Sequence, residues 1–555
     1  MRFRDVRRTV ARAATVGAVL LLSFSAPRAA SPDSGGDALV VRTAHGTVRG
    51  KTGPDGGRVF QGIPFAAAPT GELRWRPPRP SASWSGVRDA TAPAGPCPQL
   101  PMTLLPDGGP VLPGDSNRTG STSEDCLYLN VWTPPGADGR KLPVLVWLHG
   151  GGNVYGAGSD YNGAALAARG VVVVTVNYRL GALGFLAHPA LSTESTESTE
   201  STESTDHASG DYGLMDQQAA LRWVRRNVGA FGGDRTRVTL GGQSAGSVDT
   251  CLHIASPTAQ GLFHRAVQQS GSCVSEGALD PLTLAEAERR GQSFAASVGC
   301  SDPSNVAACL RAVPTGELIR GAPAAASLWT PNTGPAVLPV PPRRAWAEGR
   351  VNAVPTLSGS THDEYRYFTA LNVDLLGGGP LTPQTYAALI KLQHPARAAA
   401  VLGTYPASAY ASPNLAYSAV GTDQRFACPA RADGRLYSGR VPVYAYEFND
   451  PQAPAFIPAP YTPQGAFHAA ELAYLFPMKA LPLTTPAQRR LSATMTGYWA
   501  RFAATGNPNG PGTPVWPRYS ADRDRIQVLA PDRTAPTNGF AADHRCAFWQ
   551  PADTS

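Results

Sequence analysis

Two stretches of the chain, Leu142–Leu148 (LPVLVWL) and Val171–Val176 (VVVVTV), are almost unbroken apolar runs of strand length. Such runs suit strands covered on both faces, where every side chain meets protein. Gln217–Val228 (QQAALRWVRRNV) carries apolar residues at helical spacing, and Arg237–Leu240 (RVTL) reads as a further short strand. Strands alternating with helices predict an α/β fold with a large, mostly parallel sheet. Near the start of this pattern, Leu39–Gly50 (LVVRTAHGTVRG) alternates about His45-Gly46 and predicts a hairpin; Pro-rich loops follow to about residue 123.

The two ends of the polarity scale mark two special segments. Residues 1–30 open with Arg2, Arg4, Arg7, Arg8 and Arg12, continue through the apolar run Val16–Phe24 and close on small residues, the layout of an export signal. That run is shorter than the roughly 18 apolar residues a membrane span needs. At 192–206 the chain repeats Ser-Thr-Glu with no apolar residue, which predicts a mobile surface loop of low complexity. The remainder, 31–555, reads as a single large domain with insertions.

Composition changes the picture in two places. The 555 residues carry a formal net charge of +7, but residues 1–30 hold six Arg and one Asp, so without them it falls to +2. The apparent basicity is therefore a targeting feature, and no basic patch argues for nucleic acid. Eight cysteines, an even number in an exported chain, favour disulfides over a metal site, and no Cys-x-x-Cys or His pair has zinc spacing. No metal and no cofactor is expected.

The chemistry concentrates at Gly242-Gln243-Ser244-Ala245-Gly246, between the strand RVTLG and the helical run Ser247–Ile254. A serine on a sharp strand-to-helix turn needs small flanking residues and gains a raised, accessible hydroxyl at a helix N-terminus. His149-Gly150-Gly151-Gly152 ends the strand LPVLVWL, and its glycines let main-chain N–H groups approach a reacting oxygen; with the N–H of Ala245 they would form an oxyanion hole. A serine so placed needs a base, and the base an orienting carboxylate, in the chain order Ser, acid, His. Of the six histidines after Ser244, His253 and His264 leave almost no room for an acid, His362 adjoins the acid candidates, His394 lies in a helix-like run and His544 near the chain end. His468 sits in a loop before AAELAYLF, where a mobile imidazole is needed. The acid should follow the strand Val354–Leu357, and spacing alone leaves Asp363 and Glu364 equivalent.

Over residues 38–550 the chain resembles the type-B carboxylesterase/lipase family, which includes the cholinesterases. The motifs are FQGIPFAAAPTGELRW (60–75), EDCLYLNVW (124–132), NYRLGALGF (177–185), DYGLMDQQAALRWVRRNVGAFGGD (211–234), LFHRAVQQSGS (262–272), GSTHDEY (359–365), FHAAELAYLF (467–476) and CAFW (546–549). The resemblance implies an α/β-hydrolase fold, Glu364 as the acid, His468 as the base, and Gly151, Gly152 and Ala245 as the oxyanion hole. It further implies ion pairs Arg74–Glu124 and Arg179–Asp216, and disulfides Cys97–Cys126, Cys300–Cys309 and Cys428–Cys546; the pairing of Cys251 and Cys273 stays open. Gln243 stands where many members carry Glu, no Trp lies between Cys97 and Cys126 to hold a quaternary ammonium by cation–π attraction, and the Ser-Thr-Glu repeat has no family counterpart.

The expected function is hydrolysis of small-molecule carboxylic esters by an extracellular enzyme through an acyl-enzyme, with no nucleic-acid partner and no stable membrane insertion. Two alternatives remain at this level: a lipase on long-chain glycerides, and a non-catalytic hydrolase-like binding protein. The oligomeric state is open.

Overall fold

The two apolar runs are neighbouring strands inside an eleven-stranded sheet. The computed structural model describes residues 38–101, 120–197, 209–273, 280–321 and 329–550; the expected leader, 1–30, lies outside the described residues. In chain order the strands of the large sheet are β1 (Lys51–Thr52), β2 (Arg58–Pro64), β3 (Tyr128–Thr133), β4 (Leu142–Leu148), β5 (Val172–Val176), β6 (Gly233–Gln243), β7 (Arg265–Gln269), β8 (Thr356–Thr361), β9 (Val443–Phe448), β10 (Ile526–Leu529) and β11 (Thr534–Thr537). They lie in the order β11-β10-β9-β8-β7-β6-β4-β5-β3-β2-β1. From β10 through β5 every neighbouring pair is parallel, and the outer pairs are antiparallel.

Burial on both faces explains the unbroken apolar runs. Val144, Val146 and Leu148 enter the core on one face of β4, and Leu145 and Trp147 enter that on the other. Val172, Val174 and Val176 of β5 likewise oppose Val171 and Val173. This is the architecture of an α/β-hydrolase, a large mixed sheet flanked by helices. Helix α2 (Tyr212–Asn227) starts five residues before the predicted Gln217 and ends one before Val228. The hairpin expected over 39–50 is present as Val40–Arg42 paired antiparallel with Thr47–Arg49.

Two expectations need correction. The stretch read as Pro-rich loop contains β2, which pairs antiparallel with β3 and bulges between Phe60 and Ile63 around Gly62, whose φ is 71°. Gly62 and Pro64 hide it, because both are poor strand formers. The repeat at 192–206 is not a loop throughout: helix α1 (Pro189–Glu197) runs into it. Leu191 is buried, Ser192 Oγ donates to Glu288 Oε1 (2.8 Å), and Glu194 lies 2.6 Å from Arg311 Nη2 and 3.4 Å from Arg76 Nη2. The rest of the repeat, from residue 198, lies outside the described residues.

Covalent and ionic ties fasten the loops to this frame. All eight cysteines pair, as Cys97–Cys126, Cys251–Cys273, Cys300–Cys309 and Cys428–Cys546. The last spans 118 residues, a loop length that in the chain-entropy account contributes about 5 kcal/mol. Arg74 Nε lies 2.9 Å from Glu124 Oε2, and its Nη1 donates to the carbonyl of Val313 (2.7 Å). Arg179 grips Asp216 at both carboxylate oxygens, Nε–Oδ2 and Nη2–Oδ1 each 2.7 Å, in full burial. Arg179→Met strands the Asp216 carboxylate, so the unfolding free energy should fall by about 3–5 kcal/mol. Urea denaturation reads this out; a loss below about 1 kcal/mol would show that Asp216 finds other support.

Candidate active site

The parallel register aligns the carboxyl ends of the central strands. Gln243 of β6 pairs with Gln269 of β7, and Gln269 with Gly359 of β8. The residues that follow these strands therefore meet along one edge of the sheet, where ligands of open α/β sheets bind.

Ser244 follows β6 and directly precedes helix α3 (Ala245–Ala255). Its backbone sits at φ 55°, ψ −124°, a strained conformation for a residue with a side chain. The turn tolerates nothing bulky beside it: a Cβ on Gly242 would lie 2.2 Å from the carbonyl oxygen of Gly246, and one on Gly246 would lie 2.2 Å from that of Leu148. The N–H of Ser244 donates to the Gln269 carbonyl on β7 (2.8 Å), and the Ser244 carbonyl accepts from Ser247 (2.9 Å).

The glycine loop after β4 lies against this turn. A Cβ on Gly150 would come within 3.1 Å of Ser244 Cβ and 2.8 Å of Gln243 Oε1. Gly151 and Gly152 take φ values of 106° and 64°. Among the described residues, none accepts a hydrogen bond from the N–H of Gly151, Gly152 or Ala245. The loop is held from below: Asn153 Nδ2 donates to Asp249 Oδ1 (3.2 Å) on α3, Gln217 Nε2 donates to Asp249 Oδ2 (2.6 Å), and Tyr178 OH donates to the His149 carbonyl (2.7 Å). Burial pushes the Asp249 carboxyl up to about 7 and the His149 imidazole down to about 4.

The structure separates the two adjacent acids. Glu364 Oε2 lies 2.6 Å from His468 Nδ1, while Glu364 Oε1 accepts from the N–H of Thr361 (2.8 Å). Asp363 turns away: its Oδ2 accepts from the N–H of Ala466 (2.9 Å), and its Oδ1 lies 2.8 Å from Arg366. Asp363 thus fastens the loop that carries His468. On the far side of the imidazole, Nε2 lies 3.2 Å from Gln243 Nε2, next to Ser244. With Nδ1–H donating to Glu364, Nε2 is left as an acceptor, the tautomer a general base requires.

Three residues without a sequence assignment join the site. Phe368 and Phe426 flank His468 with ring centroids each 5.0 Å away, so apolar surface shields the imidazole. Glu471, buried three residues after His468, accepts from Gln269 Nε2 (3.0 Å), and Gln269 Oε1 accepts from Trp499 Nε1 (2.8 Å). Burial, with the nearby charge of Glu364, pushes the Glu471 carboxyl up to about 7. Glu471 lies inside the motif FHAAELAYLF, the one signal that could have marked it.

Comparison with known proteins fits this geometry. The chain matches the carboxylesterase family over residues 37–549. It is 34% identical to a rabbit (Oryctolagus cuniculus) cocaine esterase, over 92% of this chain and 95% of the rabbit protein. It is 35% identical to the para-nitrobenzyl esterase of Bacillus subtilis (strain 168), over 88% of this chain and 94% of that protein. Among solved structures it is similar to a PNB esterase with a TM-score of 0.74 and 31% identity, over 92% of this chain and 100% of that one.

The raised carboxyl of Glu471 makes a testable demand. A group whose proton is held more tightly in the folded state stabilises the fold fully below its unfolded value, near 4.5, and loses that contribution as pH rises through about 7. Glu471→Gln removes the titration. The stability of the variant relative to the wild type should therefore improve by about 3 kcal/mol between pH 4.5 and pH 8. Parallel stability curves for the two proteins over that range would refute it.

Proposed function

The chain belongs to the carboxylesterase family and is a carboxylic ester hydrolase, and on that premise we propose that it works through a Ser244–His468–Glu364 triad and an acyl-enzyme intermediate. The observation that carries this reading is the 2.6 Å contact between His468 Nδ1 and Glu364 Oε2, with the opposite ring nitrogen beside the residue preceding Ser244. Ser244 Oγ attacks the ester carbonyl as His468 Nε2 takes its proton. Glu364 holds the ring and balances the imidazolium charge. The carbonyl oxygen, now an anion, accepts from the N–H groups of Gly151, Gly152 and Ala245, each such donor worth about 3–4 kcal/mol at the transition state. Collapse of the adduct expels the alcohol, which takes the proton from His468. Water then attacks the acyl-enzyme with His468 again as base, releasing the acid and restoring Ser244.

Export of the enzyme is part of the same proposal. The basic start and short apolar run of residues 1–30 support it, and so do four disulfides, which persist in oxidising compartments. Among the described residues no helix is long and apolar enough to cross a membrane.

Ser244→Ala is expected to lower kcat for a p-nitrophenyl ester by roughly 10⁶ with an unchanged circular dichroism spectrum; retained turnover sinks the assignment of the nucleophile. The paired acids provide a second check. Glu364→Gln should cut kcat by about 10⁴ at nearly constant KM, whereas Asp363→Asn should act chiefly on thermal stability. The reverse pattern would make Asp363 the acid.

A further inference from the structure

Among the described residues, titratable side chains crowd together where the C-terminal segment meets the turn that carries Glu364. His362 directly follows β8, Glu447 lies in β9, and His544 directly follows the short helix Phe540–Asp543. One ligand-type atom from each of the three lies within 4.8 Å of those of the others. We propose that His362, Glu447 and His544, with Asp543 at the rim, form a structural zinc site.

The side chains are arranged in two tiers. His544 Nδ1 lies 2.7 Å from Asp423 Oδ1, and its Nε2 lies 2.7 Å from Glu447 Oε1. His362 repeats the pattern, with Nδ1 3.1 Å from Asp363 Oδ1 and Nε2 3.2 Å from Asp543 Oδ2. Each imidazole thus has one carboxylate behind Nδ1 and another in front of Nε2. A carboxylate behind Nδ1 is the outer support that fixes the tautomer of a zinc-bound histidine and leaves Nε2 free to coordinate.

The charge balance admits a divalent ion, which would displace protons that the surrounding carboxylates otherwise hold on the two imidazoles. Asp363, Asp423, Glu447 and Asp543 bring four negative charges, and Arg366 (2.8 Å from Asp363) and Arg545 (3.9 Å from Asp423) bring two positive ones. With neutral imidazoles two negative charges remain, which one divalent cation balances. Two imidazole nitrogens among the donors select zinc over calcium or magnesium, which take oxygen ligands. Tetrahedral zinc holds its ligand atoms about 3.3 Å apart. The His544–Glu447 edge is already tighter than that, and His362 and Asp543 sit at the rim with side chains 29% and 62% exposed. The ligands come from three distant segments, so no spacing motif marks them. The ion would clamp the chain end onto β9 and onto the residue two places before Glu364, making it a positioning device for the acid turn.

The test uses the full-length protein, stripped with EDTA and titrated with ZnCl2, with MgCl2 and CaCl2 as controls. Bound metal is counted by mass spectrometry and affinity is read against a chromophoric chelator. One zinc per chain, a raised Tm with zinc alone, and affinity at least about ten-fold weaker in both His362→Gln and Asp543→Asn support the site. Asp543 is exposed, so its variant keeps the test valid if His362→Gln fails to fold. Substoichiometric zinc, no change in Tm, or equal affinity in variants and wild type would overturn it. The cluster would then balance its charge with two imidazolium ions.

Discussion

A left-handed backbone at Ser244 is the constraint on which the rest of the site depends. A side-chain-bearing residue held at φ 55° is destabilised by about 1–3 kcal/mol, and it persists only where the surroundings leave no alternative. Here they do not. The N–H of Ser244 is taken by β7, its carbonyl begins α3, and the glycines on either side sit against backbone oxygen atoms with no room for a Cβ. The buried strands on both sides of β6 turn that local strain into a fixed position: β6 can relax only by slipping against β4 and β7, and a slip would move apolar side chains from one core to the other. Elbow geometry and sheet register are thus one problem, solved by the same valines and leucines.

Around this point the protein places paired charges inside a low-dielectric frame. Arg179–Asp216 and Arg74–Glu124 brace the loops flanking the sheet, while Glu364 and His468 face each other in near-complete burial. Buried pairs of this kind add little net stability compared with well-packed apolar side chains, but losing one member is costly. Their contribution here is positional. Asp363 illustrates this: by accepting from Ala466 it sets the loop from which His468 reaches Glu364, so two adjacent acids on one turn take different partners.

What could be read from sequence was what is local. LPVLVWL coincides with β4 because a strand buried on both faces writes itself as an apolar run. Gly-Gln-Ser-Ala-Gly showed a strand-to-helix turn because glycine is required within two residues of the serine. The ends of β6 and β8 were underestimated, since their last residues are glycine, glutamine, serine and threonine, buried by neighbours that are distant in sequence. The same reason hid the Cys251–Cys273 pairing, the aromatic walls Phe368 and Phe426, and the Glu471–Gln269–Trp499 chain, which spans 230 residues in its longest bond. Choice between Asp363 and Glu364 needed the orientation of two side chains on one turn, which no spacing contains. The helical start of the Ser-Thr-Glu repeat was missed because composition describes the repeat but not Leu191, the buried anchor just before it.

Gln243 shows how few negative charges the imidazole faces. This chain presents an amide to His468 Nε2, and burial pushes the carboxyl of the other nearby acid, Glu471, up to about 7. In the proposed mechanism Glu364 is the carboxylate that touches the developing imidazolium. A carboxylate at position 243 would set a second negative charge against the same ring. With an amide there instead, the attraction to Glu364 in the proposed mechanism grows as the proton arrives from Ser244. That is the moment when electrostatic stabilisation speeds the reaction instead of merely stabilising the ground state.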